Sequence, residues 1–219
     1  MKHPLWKQRF LNNYKKYVAI VLSCIGLAFL IASFIITVMR YSNAESISPV
    51  SAVSELINFL LLALAYGYLF YGNLNGTSLA YRGMLLFIIY VLWDFGYAAI
   101  NMFVDTIIVS SSGDPVSIVV SVVLLIGSIM ALATGIFCYV RTRQYLTSRY
   151  AKYEMVRLWA LLFMIFVILS NGLIVFYYAY FYYVTMASID IFFSLLEPIS
   201  MMLMSIVCFF SVLRLKNDY

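Results

Sequence analysis

Six stretches of mainly apolar residues, each long enough to cross a lipid bilayer, constrain this chain more than any motif in it. A spanning helix needs about 20 such residues. The sequence meets that near Tyr17–Met39, Val50–Tyr71, Gly83–Val104, Val116–Val140, Leu158–Val184 and Ile189–Leu213. Backbone groups in lipid must satisfy one another, so these segments read as helices. The alternation of a membrane barrel strand is absent. With hydrophobic residues at 65% and charged residues at 11%, a water-soluble fold would lack the polar residues to cover its core. The predicted fold class is therefore an all-α integral membrane protein, a bundle of six transmembrane helices. A cytoplasmic, basic, interfacial segment 1–16 precedes the membrane domain 17–213, and a short cytoplasmic tail 214–219 follows it.

The first apolar run follows Lys15 and Lys16 and ends near Ser42-Asn43-Ala44, which invites comparison with a cleaved signal peptide. Its length exceeds the 7–15 residues, roughly, of a signal core, so it is expected to remain as a helix. The stretch before it holds Leu5, Trp6, Phe10 and Tyr14 among basic residues, near one helical face, as in helices that lie in a membrane interface.

Charge gives the orientation. All of the 14 Lys and Arg residues except Arg40 fall on one side of the predicted membrane, while most acids fall on the other side or within spans. Basic residues mark the cytoplasmic side, so both termini are expected there and the plasma membrane is the expected location. The formal net charge of +5 then reflects a rim facing anionic lipid rather than a nucleic-acid surface.

Pro49-Val50-Ser51-Ala52-Val53 returns as Pro115-Val116-Ser117-Ile118-Val119, and Lys16, Arg82 and Arg157 enter the odd-numbered helices alike. Three two-helix hairpins would produce this pattern. The size and six helices resemble, in architecture only, the substrate-capture subunits of energy-coupling vitamin importers. Ala28-Phe29-Leu30-Ile31-Ala32 has the small-xxx-small spacing of close helix pairs. Architecture alone does not assign a function.

Carboxylates inside the membrane are the candidate chemistry, because each costs about 2.5–3.5 kcal/mol to insert. Asp94 lies 12 residues beyond Arg82, about 18 Å into the core at 1.5 Å per residue. Glu197 lies at a similar depth, about 12 Å from the outer end of a sixth helix starting at Ile189. Glu55 and Asp190 lie nearer the outer surface. Spacings of three, four and seven place Asn58 with Glu55, Tyr90, Tyr97 and Asn101 with Asp94, and Ser194 and Glu197 with Asp190 on shared helical faces. Ser117, Ser121 and Ser128 line up on the fourth helix, where hydrogen bonding between helices accounts for them.

No basic residue is expected at the depth of Asp94 and Glu197. Pro198 is expected to kink the sixth helix beside Glu197, and Asn171-Gly172 to interrupt the fifth. Phe176 to Tyr183, with Tyr178 as its representative, reads as an interfacial belt or an aromatic wall for an organic cation. The candidate ligand-binding set is Asp94, Glu197, Glu55, Asp190, Tyr97, Asn101, Asn58 and Tyr178.

Catalytic and metal residues are predicted to be none, and no cofactor is implied. The single histidine is His3, and Cys24, Cys138 and Cys208 form no CxxC pair. HExxH, GxSxG and P-loop patterns are missing. The best reading is a transport or solute-capture protein with an outward-facing acidic, aromatic site for a cation, a proton or a small organic solute. Alternatives are a membrane enzyme acting on a lipid-linked substrate and a non-catalytic assembly or immunity factor. Expected partners are membrane lipid, the solute and other membrane subunits.

Overall fold

The computed structural model describes residues 5–43, 49–75, 77–110, 115–148, 152–185 and 195–214, and, within these, the side chains of 13–42, 52–75, 79–97, 99–100, 118–147, 152–177, 179 and 195–214. The described residues form six helices: α1 (Leu5–Asn43), α2 (Pro49–Asn75), α3 (Thr77–Ser110), α4 (Pro115–Ser148), α5 (Tyr153–Thr185) and α6 (Leu196–Arg214). Each contains an apolar stretch long enough to cross a membrane. The chain is a multi-pass membrane protein built as an all-helical bundle.

Most helices run further than their apolar cores require. α1 is a single helix of 39 residues that takes in the basic segment from Leu5 onward. The segment Gly72–Arg82, between the second and third predicted spans, is helical on both sides of Gly76. A Cβ on Gly72 would collide with the backbone of Ala80, and one on Gly83 would stand 2.8 Å from the Leu69 nitrogen. These two glycines let α2 and α3 fold back on each other at close range. The repeated Pro-Val-Ser motif coincides with the starts of α2 and α4, where proline's missing N–H costs nothing.

Each helix packs on its neighbours in sequence, and α6 closes the ring against α1 while also touching α3 and α2. Packing is continuous around the ring, and α2 packs more extensively on α3 than on α1. α3 and α6 have 50% of their apolar stretch buried, against 22–28% for the other four, so these two form the centre. α6 suits that place because Ser200, Ser205, Cys208 and Ser211 are short and buried, which lets backbones approach. Outward faces carry Ile25, Ile31, Leu60, Leu64, Ile126, Ile129, Leu158 and Leu169, which lipid solvates without cost.

The two ends of the bundle differ chemically. At one end the Lys16 ammonium donates to the Leu74 carbonyl at 2.9 Å, and the Tyr153 hydroxyl donates to the Val212 carbonyl at 3.2 Å. Arg214 donates to Asn73 Oδ1 at 2.7 Å. These contacts join the start of α1, the end of α2, the start of α5 and the end of α6. The sorting of basic residues along the sequence is thus a sorting to one end of the bundle. The opposite end holds Arg40, Glu55, Asp94 and Glu197.

Of the two expected interruptions, only the one in α5 falls wholly within the described residues. α6 begins at Leu196 among the described residues, so Glu197 and Pro198 lie in its first turn. Proline is tolerated there, and Ile199 donates to the Leu195 carbonyl at 3.2 Å. Residues 189–194, expected to precede them in a sixth helix starting at Ile189, lie outside the described residues, and so does the expected kink. α5 runs unbroken through Asn171-Gly172, because the Asn171 side-chain amide donates to the Val167 carbonyl at 2.9 Å within the same helix.

Candidate functional site

Between α1, α2, α3, α5 and α6, at the end opposite the basic rim, lies a cavity of about 420 Å³. Its wall includes Ser33, Thr37, Arg40 and Tyr41 from α1, Glu55 from α2, Asp94 from α3, Asn171 and Ile174 from α5, and Glu197, Pro198 and Met201 from α6. Three carboxylates from three helices therefore face one space. A smaller hollow beside it is lined by Ser33, Glu55, Asn58 and Glu197 among others.

About one turn from Glu197, toward the basic end, a hydrogen-bonded joint ties three helices together. The Tyr66 hydroxyl donates to the Ser200 carbonyl at 2.6 Å. The Ser200 hydroxyl donates to the Gly26 carbonyl at 2.9 Å. Gly26 is required here: a Cβ on it would stand 2.5 Å from the Tyr66 ring carbon that bears the hydroxyl. At 1.5 Å per residue, Glu197 lies roughly 4–5 Å above this joint, Glu55 roughly 16 Å and Arg40 roughly 21 Å. From the side, the buried Tyr90 donates its hydroxyl to Glu197 Oε1 at 3.5 Å.

Of the residues singled out from the sequence, Asp94, Glu197 and Glu55 come together, with Asn58 beside them in the smaller hollow. Tyr97 does not join them. It shares a helical face with Tyr90, but Phe95 is the last buried side chain described on α3, and Tyr97 is 65% exposed. Asp190 lies outside the described residues. Asn101 and Tyr178 lie on α3 and α5, but their side chains are outside the described set. Phe176, the first residue of the expected aromatic wall, is 71% exposed and lines neither space.

Several wall residues escaped the sequence reading. Arg40 also lines the cavity, nearer its mouth than Asp94 and Glu197. It ends α1 on the outer side, yet helical side chains lean toward their own N-terminus, which for α1 is inward. Asn171, read as a helix interruption, lines the cavity, with its side-chain nitrogen donating to the Val167 carbonyl. Ser33 and Thr37, four residues apart on α1, gave a spacing signal that was open to detection.

The fold defines the class: a six-helix, multi-pass membrane protein with an acidic cavity at one end. Beyond that class, no family model, curated protein or solved structure matches the chain.

Proposed function

We propose that this protein captures or transports a cation, a proton or a small organic solute through its acidic cavity. The observation that supports the reading most is the meeting of Glu55, Asp94 and Glu197 at one cavity wall. A carboxylate in a low-dielectric setting attracts a cation far more strongly than one in water. The joint of Gly26, Tyr66 and Ser200 ties α1, α2 and α6 together between the cavity and the basic rim, and in this reading solute enters from the acidic end.

In this reading both termini are cytoplasmic, because basic residues gather on that side. The cavity then faces outward at the plasma membrane. Membrane lipid contacts the bundle, and other membrane subunits are candidate partners for carrying solute further. The test is uptake or binding of labelled cationic solutes by the purified protein in lipid, with Glu197→Gln as the comparison. Loss of binding in the variant, with folding intact, is the expected result. Full binding in Glu197→Gln, Asp94→Asn and Glu55→Gln alike would overturn the reading.

A further inference from the structure

Two cations at the basic end are brought together by the way three helices pack. α1 and α5 pack on α6 from either side rather than on each other. On α1, Lys16 is committed to α2 through its bond to the Leu74 carbonyl. Successive helical residues point about 100° apart, so Lys15 turns from α2 toward α6. Ala19, one turn further along the face of Lys15, is fully buried. On α5, Tyr153 faces α6 and donates to the Val212 carbonyl, and Arg157 stands one turn beyond it. Lys15 and Arg157 thus face each other across the last turns of α6, close enough for their charges to repel.

Among the described residues, neither cation has an ion-pair partner. Glu154, three residues before Arg157, is exposed and pairs with neither. Glu55, Asp94 and Glu197 lie at the opposite end of the bundle. The C-terminal end of α6 offers a partial negative charge of about one half. That is less than the charge of either cation, so the pair keeps an excess that an anion would balance.

Their level in the membrane decides which anion. Lys15 stands two residues ahead of the first apolar run, and Arg157 one residue ahead of the fifth, so both lie in the headgroup layer. Tyr14 and Tyr17, on either side of Lys15, are 58% and 64% exposed, as aromatic residues are at a membrane–water interface. Further in, Val21 and Ile25 of α1 and Leu158 of α5 are exposed and offer apolar surface to acyl chains. A free anion would use none of that surface. A guanidinium matches two phosphate oxygens with its planar fork, and an ammonium adds a point charge. A zwitterionic lipid would bring a cation of its own against the pair, whereas a net-negative one would not.

We propose that Lys15 and Arg157 form a discrete site for the phosphate of one anionic phospholipid, seated against the end of α6 between α1 and α5. The site is separate from the acidic cavity and does not depend on its solute. It differs from a diffuse basic rim in that these two residues carry the selectivity.

Native mass spectrometry of the full-length protein in detergent, titrated with dioleoyl phosphatidylglycerol or dioleoyl phosphatidylcholine, tests it. One phosphatidylglycerol is expected to bind about tenfold or more tightly than phosphatidylcholine, as for a charge-assisted pair. Lys15→Gln and Arg157→Gln should each remove most of that preference, while Lys15→Arg and Arg157→Lys should keep most of it. Arg143→Gln, which removes an exposed cation of the rim, should leave it close to native. Equal binding of the two lipids by the native protein would overturn the site, and this comparison decides even where a variant does not fold. An undiminished preference in Lys15→Gln and Arg157→Gln would overturn it as well, as would an equal loss in Arg143→Gln, which is the behaviour of a diffuse rim. Displacement of the lipid by inorganic phosphate at the same concentration would show a site for a free anion and would also overturn it.

Discussion

The Tyr66 hydroxyl on α2 donates to the Ser200 carbonyl on α6 at 2.6 Å, across 134 residues of chain. The bond lies one turn beneath Glu197, so it connects the stability of the bundle to the shape of the acidic cavity. Tyr66→Phe removes the donor and leaves the buried Ser200 carbonyl with one partner fewer. The expected cost is about 1–3 kcal/mol, read from chemical or thermal unfolding in detergent. A stability equal to that of the native protein would mean that the joint contributes nothing.

Gly26 and Tyr66 are expected to be energetically coupled. Gly26→Ala drives a methyl group into the Tyr66 ring and hydroxyl, and overpacking of this kind costs about 1–3 kcal/mol. Because Tyr66→Phe removes the atom closest to the new methyl, the double variant should lose less than the two single losses added together. Simple additivity in a double-mutant cycle would contradict the contact.

Glu197 should matter more for solute binding than Glu55. It lies closer to the Tyr66–Ser200 joint, deeper in the bundle, where water screens less, while Glu55 stands further toward the mouth. Glu197→Gln keeps the shape and removes the charge. It is expected to weaken binding about tenfold or more, equivalent to roughly 1.4 kcal/mol or more, with expression and melting temperature close to native. Glu55→Gln should be milder. The reverse order, full binding in Glu197→Gln and loss in Glu55→Gln, would move the site toward the mouth.

At the basic end, Asn73 is a buried connector. Its amide donates to Ser211 Oγ at 3.0 Å and to the Leu69 carbonyl at 2.8 Å, and its Oδ1 accepts from Arg214. Asn73→Leu matches the volume approximately and removes all three bonds from a buried guanidinium's surroundings. Stability should fall by about 1–3 kcal/mol, with solute binding at the far end unchanged. A variant as stable as the native protein would show that the network is incidental.

Orientation is open to cysteine labelling from outside intact cells. With the basic rim inside, a cysteine at position 152 should stay unlabelled by an impermeant reagent and one at 112 should react. Labelling at 152 but not at 112 would invert the topology, and with it the outward-facing cavity.

The six helices were legible in the sequence because spanning a bilayer is a local requirement. An apolar run of sufficient length must become a helix wherever it sits. The sorting of Lys16, Arg82, Arg157 and Arg214 to one end follows from alternating direction alone. The sequence also pointed to Asp94, Glu197 and Glu55, since an ionisable group in an apolar run is conspicuous by itself. It could not supply the order of helices around the ring or the rotation of each one. Those depend on contacts such as Ser200 with Gly26, 174 residues apart, and on which glycines let backbones close. Tertiary structure therefore decided that Arg40 and Asn171 join the carboxylates and that Tyr97 does not. A periodic pattern tells which residues share a face of one helix; only packing between helices tells what that face meets.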